Sequence, residues 1–328
     1  MPHKVLITKP IPEIGIQLLK AANIEVTIPE SPLPYNILIE TAKNFDAVVS
    51  VGLNDLNADF MYENSHLKGI ALYSVGYDTV DVATASEVGI PISNTPDVSS
   101  EATADTAFLL MLATSRRASH NFSLLKEGKW RAINVTEDLG MDIKGKTLGI
   151  YGMGGIGASF AEKAHRAYGM KVIYHNRTKK PEGYFNFPAE YVDFDTLLAT
   201  SDVLSLHANL STENTNLFDK AAFEKMKSTA IFINTARGGM VNEGDLYDAL
   251  VNQEIWGAGL DVTNPEPISA DSPLLGLSTV CVLPHIGSAT IDTRNVMAEM
   301  VAQNIIAALN DEPMPQVIDK EFYEFSMA

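Results

Sequence analysis

The stretch from Lys146 to Lys180, KTLGIYGMGGIGASFAEKAHRAYGMKVIYHNRTKK, constrains this chain more than any other. Its apolar run Leu148 to Tyr151 reads as a buried parallel strand. Gly152, Gly154 and Gly157 follow in a G-x-G-x-x-G pattern. Phe160, Ala161, Ala164 and Ala167 then share one face of a helix that Gly169 ends, and Lys171 to Tyr174 reads as a second strand. In such a unit the first glycine permits a tight turn, the second a close backbone approach to phosphates, and the third close packing of helix on strand. The unpaired N–H groups and positive dipole end of the helix face an anion. With strand and helix both in place, the pattern predicts a pyrophosphate cradle in which Gly155 and Ile156 form the turn between the glycines.

The end of the second strand addresses the ribose. A NAD-specific unit needs an acid about 20 residues past the glycines, to accept from the 2′-hydroxyl. Asn176 stands there instead, followed by Arg177, Thr178, Lys179 and Lys180. A 2′-phosphate suits this neutral and basic set, so NADP(H) is the expected preference, with NAD(H) possible. A solvated basic turn that tolerates either cofactor is the plainer alternative.

Strands and helices alternate through the first hundred residues, with strands at Val5–Thr8, Glu25–Ile28, Ala47–Val51, Ile70–Tyr73 and Ile90–Ser93. This pattern predicts a smaller α/β domain with a parallel sheet and no glycine fingerprint. Ser100 to Lys126 reads as one long helix, apolar around much of its circumference and therefore expected to be buried between domains or subunits. Beyond the glycine unit, strands at Asp202–Leu206, Ala230–Ile233, Gly257–Leu260 and Thr279–Leu283 complete a second doubly wound sheet. A last helix from Thr290 to Leu309 leaves a tail too short for a domain, expected to pack back on the N-terminal part. The expected domains are thus a discontinuous one, 1–99 with 288–328, and a dinucleotide-binding one, 100–287.

Ligands of open parallel sheets bind outside the carboxyl ends of the strands. His207, Thr235, Arg237, Asp261 and His285 follow successive strands there. A histidine at such a position suits moving a proton near neutral pH. Glu266, in Asn264-Pro265-Glu266-Pro267, is the candidate to orient it, and on local grounds is equally at home as a solvated turn residue. Arg237, directly after an apolar strand and before Gly238-Gly239, is badly placed for a surface ion pair and well placed to grip a carboxylate and polarise a carbonyl.

With 24 basic against 41 acidic residues the net charge is -17 and no basic block exists, which argues against nucleic acid. An anionic substrate must then be drawn in by local positive groups. The single cysteine, Cys281, lies in an apolar run and fits inert packing in a reducing compartment. No signal peptide or membrane span is read, so a cytoplasmic location is expected. No metal site is expected.

Several segments together resemble the D-isomer-specific 2-hydroxyacid dehydrogenases: SVGYDTVD at Ser74–Asp81, ATADTAFLLMLATSRR at Ala102–Arg117, YGMGGIG, INTARGG at Ile233–Gly239, DVTNPEP at Asp261–Pro267 and PHIGSAT at Pro284–Thr290. Within the family the chain looks most like glyoxylate/hydroxypyruvate reductases. The resemblance implies a Rossmann cofactor domain with a smaller flavodoxin-like substrate domain, both doubly wound. It implies Arg237, Glu266 and His285 as the catalytic set, with Arg237 and His285 also meeting a small 2-oxo or 2-hydroxy acid. Backbone amides of Val75 and Gly76 would hold the substrate carboxylate, with Leu53 and Ser288 lining the pocket. Thr106, His207 and Asp261 would lie near the nicotinamide, and Ala208, Thr235, Ala236 and Gly287 complete the cofactor set. A homodimer through the cofactor domains is implied. Some relatives carry a second tryptophan shortly after the one matching Trp130, which reaches the partner's active site; the corresponding position here is near Ile133. Other expected possibilities are a D-lactate or bulkier 2-oxo acid substrate, or a non-catalytic dinucleotide sensor of the corepressor kind. Glutamate rather than glutamine at Glu266 disfavours a formate dehydrogenase.

Overall fold

A computed structural model describes residues 2–133 and 135–323. The chain divides into two compact units, Met1–Ser99 with Ala289–Ala328, and Ser100–Ser288. Each is an open, parallel α/β sheet.

In the first unit, β1 (Lys4–Ile7), α1 (Glu13–Ala21), β2 (Glu25–Thr27), α2 (Tyr35–Ala42), β3 (Ala47–Ser50), α3 (Ala58–Glu63), β4 (Gly69–Leu72), α4 (Val82–Val88) and β5 (Ile92–Ser93) follow one another. The strand order is β2-β1-β3-β4-β5, all parallel, which is the flavodoxin order. Alternate residues of one strand feed opposite cores. Val5 and Ile7 pack with Leu19, while Leu6 packs with Leu38 and Phe60. A sheet covered on both faces explains why these strands read as apolar runs without alternation.

The second unit opens with α5 (Ser100–Ser115) and α6 (Ala118–Lys126). Then come β6 (Thr147–Tyr151), α7 (Gly155–Tyr168), β7 (Lys171–His175), β8 (Ala189–Tyr191), α8 (Phe194–Thr200), β9 (Val203–Leu206), α9 (Lys220–Glu224), β10 (Ile231–Asn234), α10 (Glu243–Val251), β11 (Gly257–Leu260) and β12 (Val280–Val282). The order β12-β11-β10-β9-β6-β7-β8 is the doubly wound dinucleotide-binding order with one further strand. It reverses between β6 and β9, so the glycine loop after β6 and His207 after β9 flank the topological switch point.

The single helix expected over Ser100–Lys126 is two helices. Arg117, at φ 51°, breaks the run in the left-handed region. Met141 N–H bonds the Ser115 carbonyl at 2.7 Å, so an incoming segment takes a carbonyl the helix end leaves open. The Arg117 guanidinium lies 5.6 Å from the centre of the Trp256 ring. α5 is buried within the second unit, Leu110 and Met111 sharing a core with Phe160 and Ile233. α6 has no buried residue.

After β12 the chain returns to the first unit as α11 (Ile291–Leu309), whose Met297, Val301 and Ile305 join the core of Val5 and Ile7. Its tail pairs with β5: Val317 bridges Ser93, and Ile318 N–H bonds the Ile92 carbonyl at 2.8 Å.

Candidate active site

Parallel strands send all their carboxyl ends to one edge, and the loops after the seven strands of the second unit meet that edge. The first is the glycine loop. Gly152 has φ 95°, and a Cβ there would stand 2.4 Å from the Ala208 nitrogen, so the loops after β6 and β9 touch. Only glycine meets both conditions. A Cβ on Gly157 would stand 2.6 Å from the Gly152 carbonyl oxygen, whereas one on Gly154 would meet nothing within 4 Å. No N-cap side chain bonds the N-terminus of α7. An open face over the second glycine and an uncapped helix start are what a pyrophosphate requires. The cradle fits a dinucleotide.

Asn176 braces this loop. Its Oδ1 accepts from Met153 N–H at 2.6 Å and its Nδ2 lies 3.4 Å from the Met153 carbonyl. The sequence placed Asn176 only as the neutral residue at the ribose; the side chain is spent on the glycine loop. Arg177, Thr178 and Lys179 are exposed beyond it, and the Lys180 ammonium lies 4.9 Å from the centre of the Tyr184 ring.

At the end of β12, His285 Nδ1 meets Glu266 Oε1 at 2.5 Å. The imidazole donates from Nδ1 to the carboxylate, which leaves Nε2 as the nitrogen for chemistry. The histidine side chain is 40% exposed and the glutamate 24%, so the pair is open to small molecules yet not fully solvated. His285 itself has φ 54°, a conformation uncommon for residues with a side chain. Asp261 holds it there. The Asp261 carbonyl accepts His285 N–H at 2.9 Å, and its two carboxylate oxygens accept Ile286 and Gly287 N–H at 2.8 Å each. Burial pushes the Asp261 carboxyl above its ordinary range, while these two amides pull it down. Its visible work is to fix the histidine loop.

Arg237 follows β10 in a turn built by a residue that sequence reasoning missed. Buried Asn234 accepts Ala236 N–H at 2.9 Å and donates to the Arg237 carbonyl at 2.9 Å, closing the Thr235-Ala236-Arg237 segment on itself. The guanidinium Nη1 donates to the Ala236 carbonyl at 2.8 Å, which braces the side chain against its own turn. Gly238 then presses on the Glu266 loop: a Cβ there would lie 2.1 Å from the Thr263 carbonyl group. The turn bearing Arg237 and the loop bearing Glu266 are therefore in backbone contact. A buried asparagine closing an apolar strand was the available signal for Asn234.

His207 is held between hydroxyls, Ser205 Oγ at 2.9 Å from Nε2 and Thr235 Oγ1 at 3.2 Å from Nδ1. Burial pushes its pKa down to about 3, so the ring is neutral, with both nitrogens engaged by hydroxyls. The Thr106 hydroxyl bonds the Ala102 carbonyl of its own helix at 3.1 Å, within α5. Ser288 closes the second unit directly after Gly287. Buried Cys281 accepts from Ser119 Oγ at 3.0 Å, and burial raises its thiol, as inert packing requires. Among the described residues there is no cluster suited to a metal ion, and no helix is long and apolar enough to cross a membrane.

In the first unit, Leu53 follows β3 and is exposed, and Val75 and Gly76 follow β4. The Val75 carbonyl accepts from Asn94 Nδ2 at 2.7 Å and the Gly76 carbonyl from Ser74 Oγ at 2.8 Å. Both carbonyls are thereby committed to protein partners, a role for Ser74 and Asn94 that the sequence did not disclose.

A cradle for a dinucleotide and a carboxylate-held histidine on one sheet edge define a pyridine-nucleotide dehydrogenase. Comparison with known proteins agrees. Residues 108–287 match the model for the D-isomer specific 2-hydroxyacid dehydrogenase, NAD binding domain. The chain belongs to the D-isomer-specific 2-hydroxyacid dehydrogenases and is an NAD(P)-dependent enzyme that reduces a 2-oxo acid. It is 41% identical to a glyoxylate reductase of Thermococcus litoralis over 326 residues, 98% of each chain. It is similar to the crystal structure of a glyoxylate reductase from Paecilomyes thermophila, with TM-score 0.85 and 31% identity over 98% of this chain and 99% of that one. A third relative is an NADPH-dependent glyoxylate/hydroxypyruvate reductase from Sinorhizobium meliloti, solved with NADP and malonate, at TM-score 0.84 and 28% identity over 97% of both chains.

Proposed function

We propose that the chain reduces glyoxylate and hydroxypyruvate with NADPH as the preferred donor, using His285 as the acid, Glu266 to orient it and Arg237 to hold the substrate. The observation that carries this reading is the pairing of His285 Nδ1 with Glu266 at 2.5 Å on the sheet edge that also presents Arg237 and the glycine cradle. A nicotinamide cofactor, when bound, would supply the hydride that the carbonyl carbon receives. His285 delivers the proton from Nε2 to the carbonyl oxygen, while Glu266 keeps Nδ1 engaged and the ring in one orientation. Arg237 grips the substrate carboxylate and draws electron density onto the carbonyl oxygen. Gly152, Gly154, Gly155, Ile156 and Gly157 would hold the pyrophosphate, and Ala208, Thr235, Ala236 and Gly287, with Thr106, His207 and Asp261, would complete the cofactor's surroundings. The family resemblance assigns Leu53, Val75, Gly76 and Ser288 to the substrate.

NADPH preference rests on the exposed Arg177, Thr178 and Lys179 beside an Asn176 whose side chain is committed to Met153. No acid stands at that strand end to favour a bare 2′-hydroxyl. The expected result is a higher kcat/KM for NADPH than for NADH under saturating glyoxylate. A preference for NADH contradicts it.

The second unit also leaves several large apolar side chains open to solvent. Phe122, Leu125, Trp130, Ile133 and Leu139 are each between 55% and 83% exposed. Apolar side chains concentrated on α6 and the segment after it mark an association surface, and a homodimer through the second unit is assigned to it. Light scattering is expected to give twice the chain mass; a monomer at micromolar concentration contradicts the assignment.

A further inference from the structure

Glu243 lies outside the residues assigned above, yet it reaches the Glu266 loop. It opens α10 just after the cap residue Asn242, whose Oδ1 accepts the N–H groups of Gly244 and Asp245 at 3.1 and 3.2 Å. The helix start therefore has its own cap, and the Glu243 side chain is left for another task. Its Oε1 accepts Asn264 N–H at 2.5 Å, two residues before Glu266. The same stretch of chain is pressed from another direction by Gly238, where a Cβ would lie 2.7 Å from the Asn264 nitrogen. Thr263 Oγ1 adds a bond to the Pro265 carbonyl at 2.9 Å. The Asn264 peptide is thus gripped by a helix on one side and by the Arg237 turn on another.

A solvated glutamate in a first helical turn needs no such partner; favourable interaction with the helix dipole would suffice. Glu243 instead is half-buried, and burial raises its carboxyl while the Asn264 N–H opposes the shift. The cost of partly desolvating this carboxylate is offset by the charge-assisted bond it accepts from the Asn264 N–H, which ties the side chain to that peptide. What it fixes is the loop whose next side chain but one meets His285.

We propose that Glu243 is a positioning residue: by holding the Asn264 N–H it sets the loop that carries Glu266 against His285. The inference rests on the roles given above to Glu266 and His285. The charged groups around the histidine are Glu266 in direct contact and Asp261, at the end of the neighbouring strand β11, beneath its loop, with Arg237 one strand further on at the end of β10. Glu243 touches the histidine only through the loop, so its removal changes geometry and leaves those charges in place.

Two measurements decide it. The first is steady-state reduction of glyoxylate by NADPH. Glu243→Ala is expected to lower kcat on the order of ten- to a hundred-fold, as small misplacements of reacting groups do, with KM changed by less than about three-fold because Arg237 is untouched. Glu243→Gln retains an Oε1 acceptor for the same N–H and is expected to keep wild-type kcat. The second is the ¹⁵N spectrum of the His285 ring at alkaline pH, assigned by its loss in His285→Asn. The wild type and Glu243→Gln are expected to hold the Nδ1–H tautomer, and Glu243→Ala to lose it toward Nε2–H. Should the alanine variant not fold, Glu243→Asp, one methylene shorter, takes its place with the same expected losses. Wild-type kcat and an unchanged ring spectrum in the shortened variant overturn the inference. A glutamine variant as impaired as alanine also overturns it, because charge rather than the hydrogen bond would then matter. If the wild type reduces no 2-oxo acid, the proposed function fails, and the ring spectrum still decides the role of Glu243.

Discussion

Replacing His285 with alanine is expected to lower kcat for glyoxylate reduction by roughly 10²- to 10⁴-fold, about 3–5 kcal/mol of barrier, while NADPH binding stays within about two-fold of wild type. The asymmetry follows from position. His285 stands at the end of β12, at the far side of the sheet order from β7 and β8, whereas the glycine loop follows β6 beside the switch point. The histidine loop is held by Asp261 through backbone groups, so removing the imidazole leaves the Ile286 and Gly287 amides bonded as before. Truncation to alanine keeps a Cβ at φ 54° and so adds no new backbone strain. Kinetics over glyoxylate concentration, with fluorescence titration of NADPH, separates the two effects. Unchanged turnover contradicts the assignment of the acid; lost cofactor binding shows that the loop, rather than the proton, was disturbed.

Arg237→Lys is expected to cost about 10²- to 10³-fold in kcat/KM for glyoxylate, although charge is conserved. The wild-type guanidinium spends Nη1 on the Ala236 carbonyl, which sets the plane of the fork. A lysine ammonium is a point charge on a flexible stem and cannot reproduce two parallel donors toward a carboxylate. Loss of orientation falls on kcat, and loss of grip on KM, so both are expected to worsen. The β10 turn itself should survive, because Asn234 closes it with bonds to backbone atoms of residues 236 and 237. A lysine variant with wild-type kcat/KM shows that the positive charge alone is enough and that the bidentate grip is wrong.

The architecture was legible wherever a signal was local and repeated. Buried parallel strands announce themselves as short apolar runs, and each of the strands that place His207, Arg237, Asp261 and His285 was readable in this way. Chain order then put those residues on one edge without any knowledge of contacts. β8 is hard to read because it is a short edge strand of mixed polarity, and α8 because only Leu197 and Leu198 of its seven residues are buried. The break at Arg117 was hidden because no glycine or proline marks it, and the groups that meet the helix end there, Met141 and Trp256, come from elsewhere in the chain. The bonds that finish the site were equally invisible. Asn176 on Met153, Asn234 around its own turn and Glu243 on Asn264 are choices of partner made by the fold, and an isolated asparagine or glutamate in the sequence carries no sign of which backbone group it will meet. The pairing of Glu266 with His285 lay between these extremes. Local sequence left the glutamate equally suited to a solvated turn, and the resemblance singled it out; the geometry brings the two side chains together.

The most direct measurement is the loss of NADPH absorbance on adding, in turn, glyoxylate, hydroxypyruvate, pyruvate and a bulkier 2-oxo acid to the purified protein. Rapid oxidation with glyoxylate and hydroxypyruvate, each with a kcat/KM well above that for the other two, is the expected result. Oxidation with pyruvate or the bulkier acid, and none with glyoxylate or hydroxypyruvate, contradicts the proposed substrate.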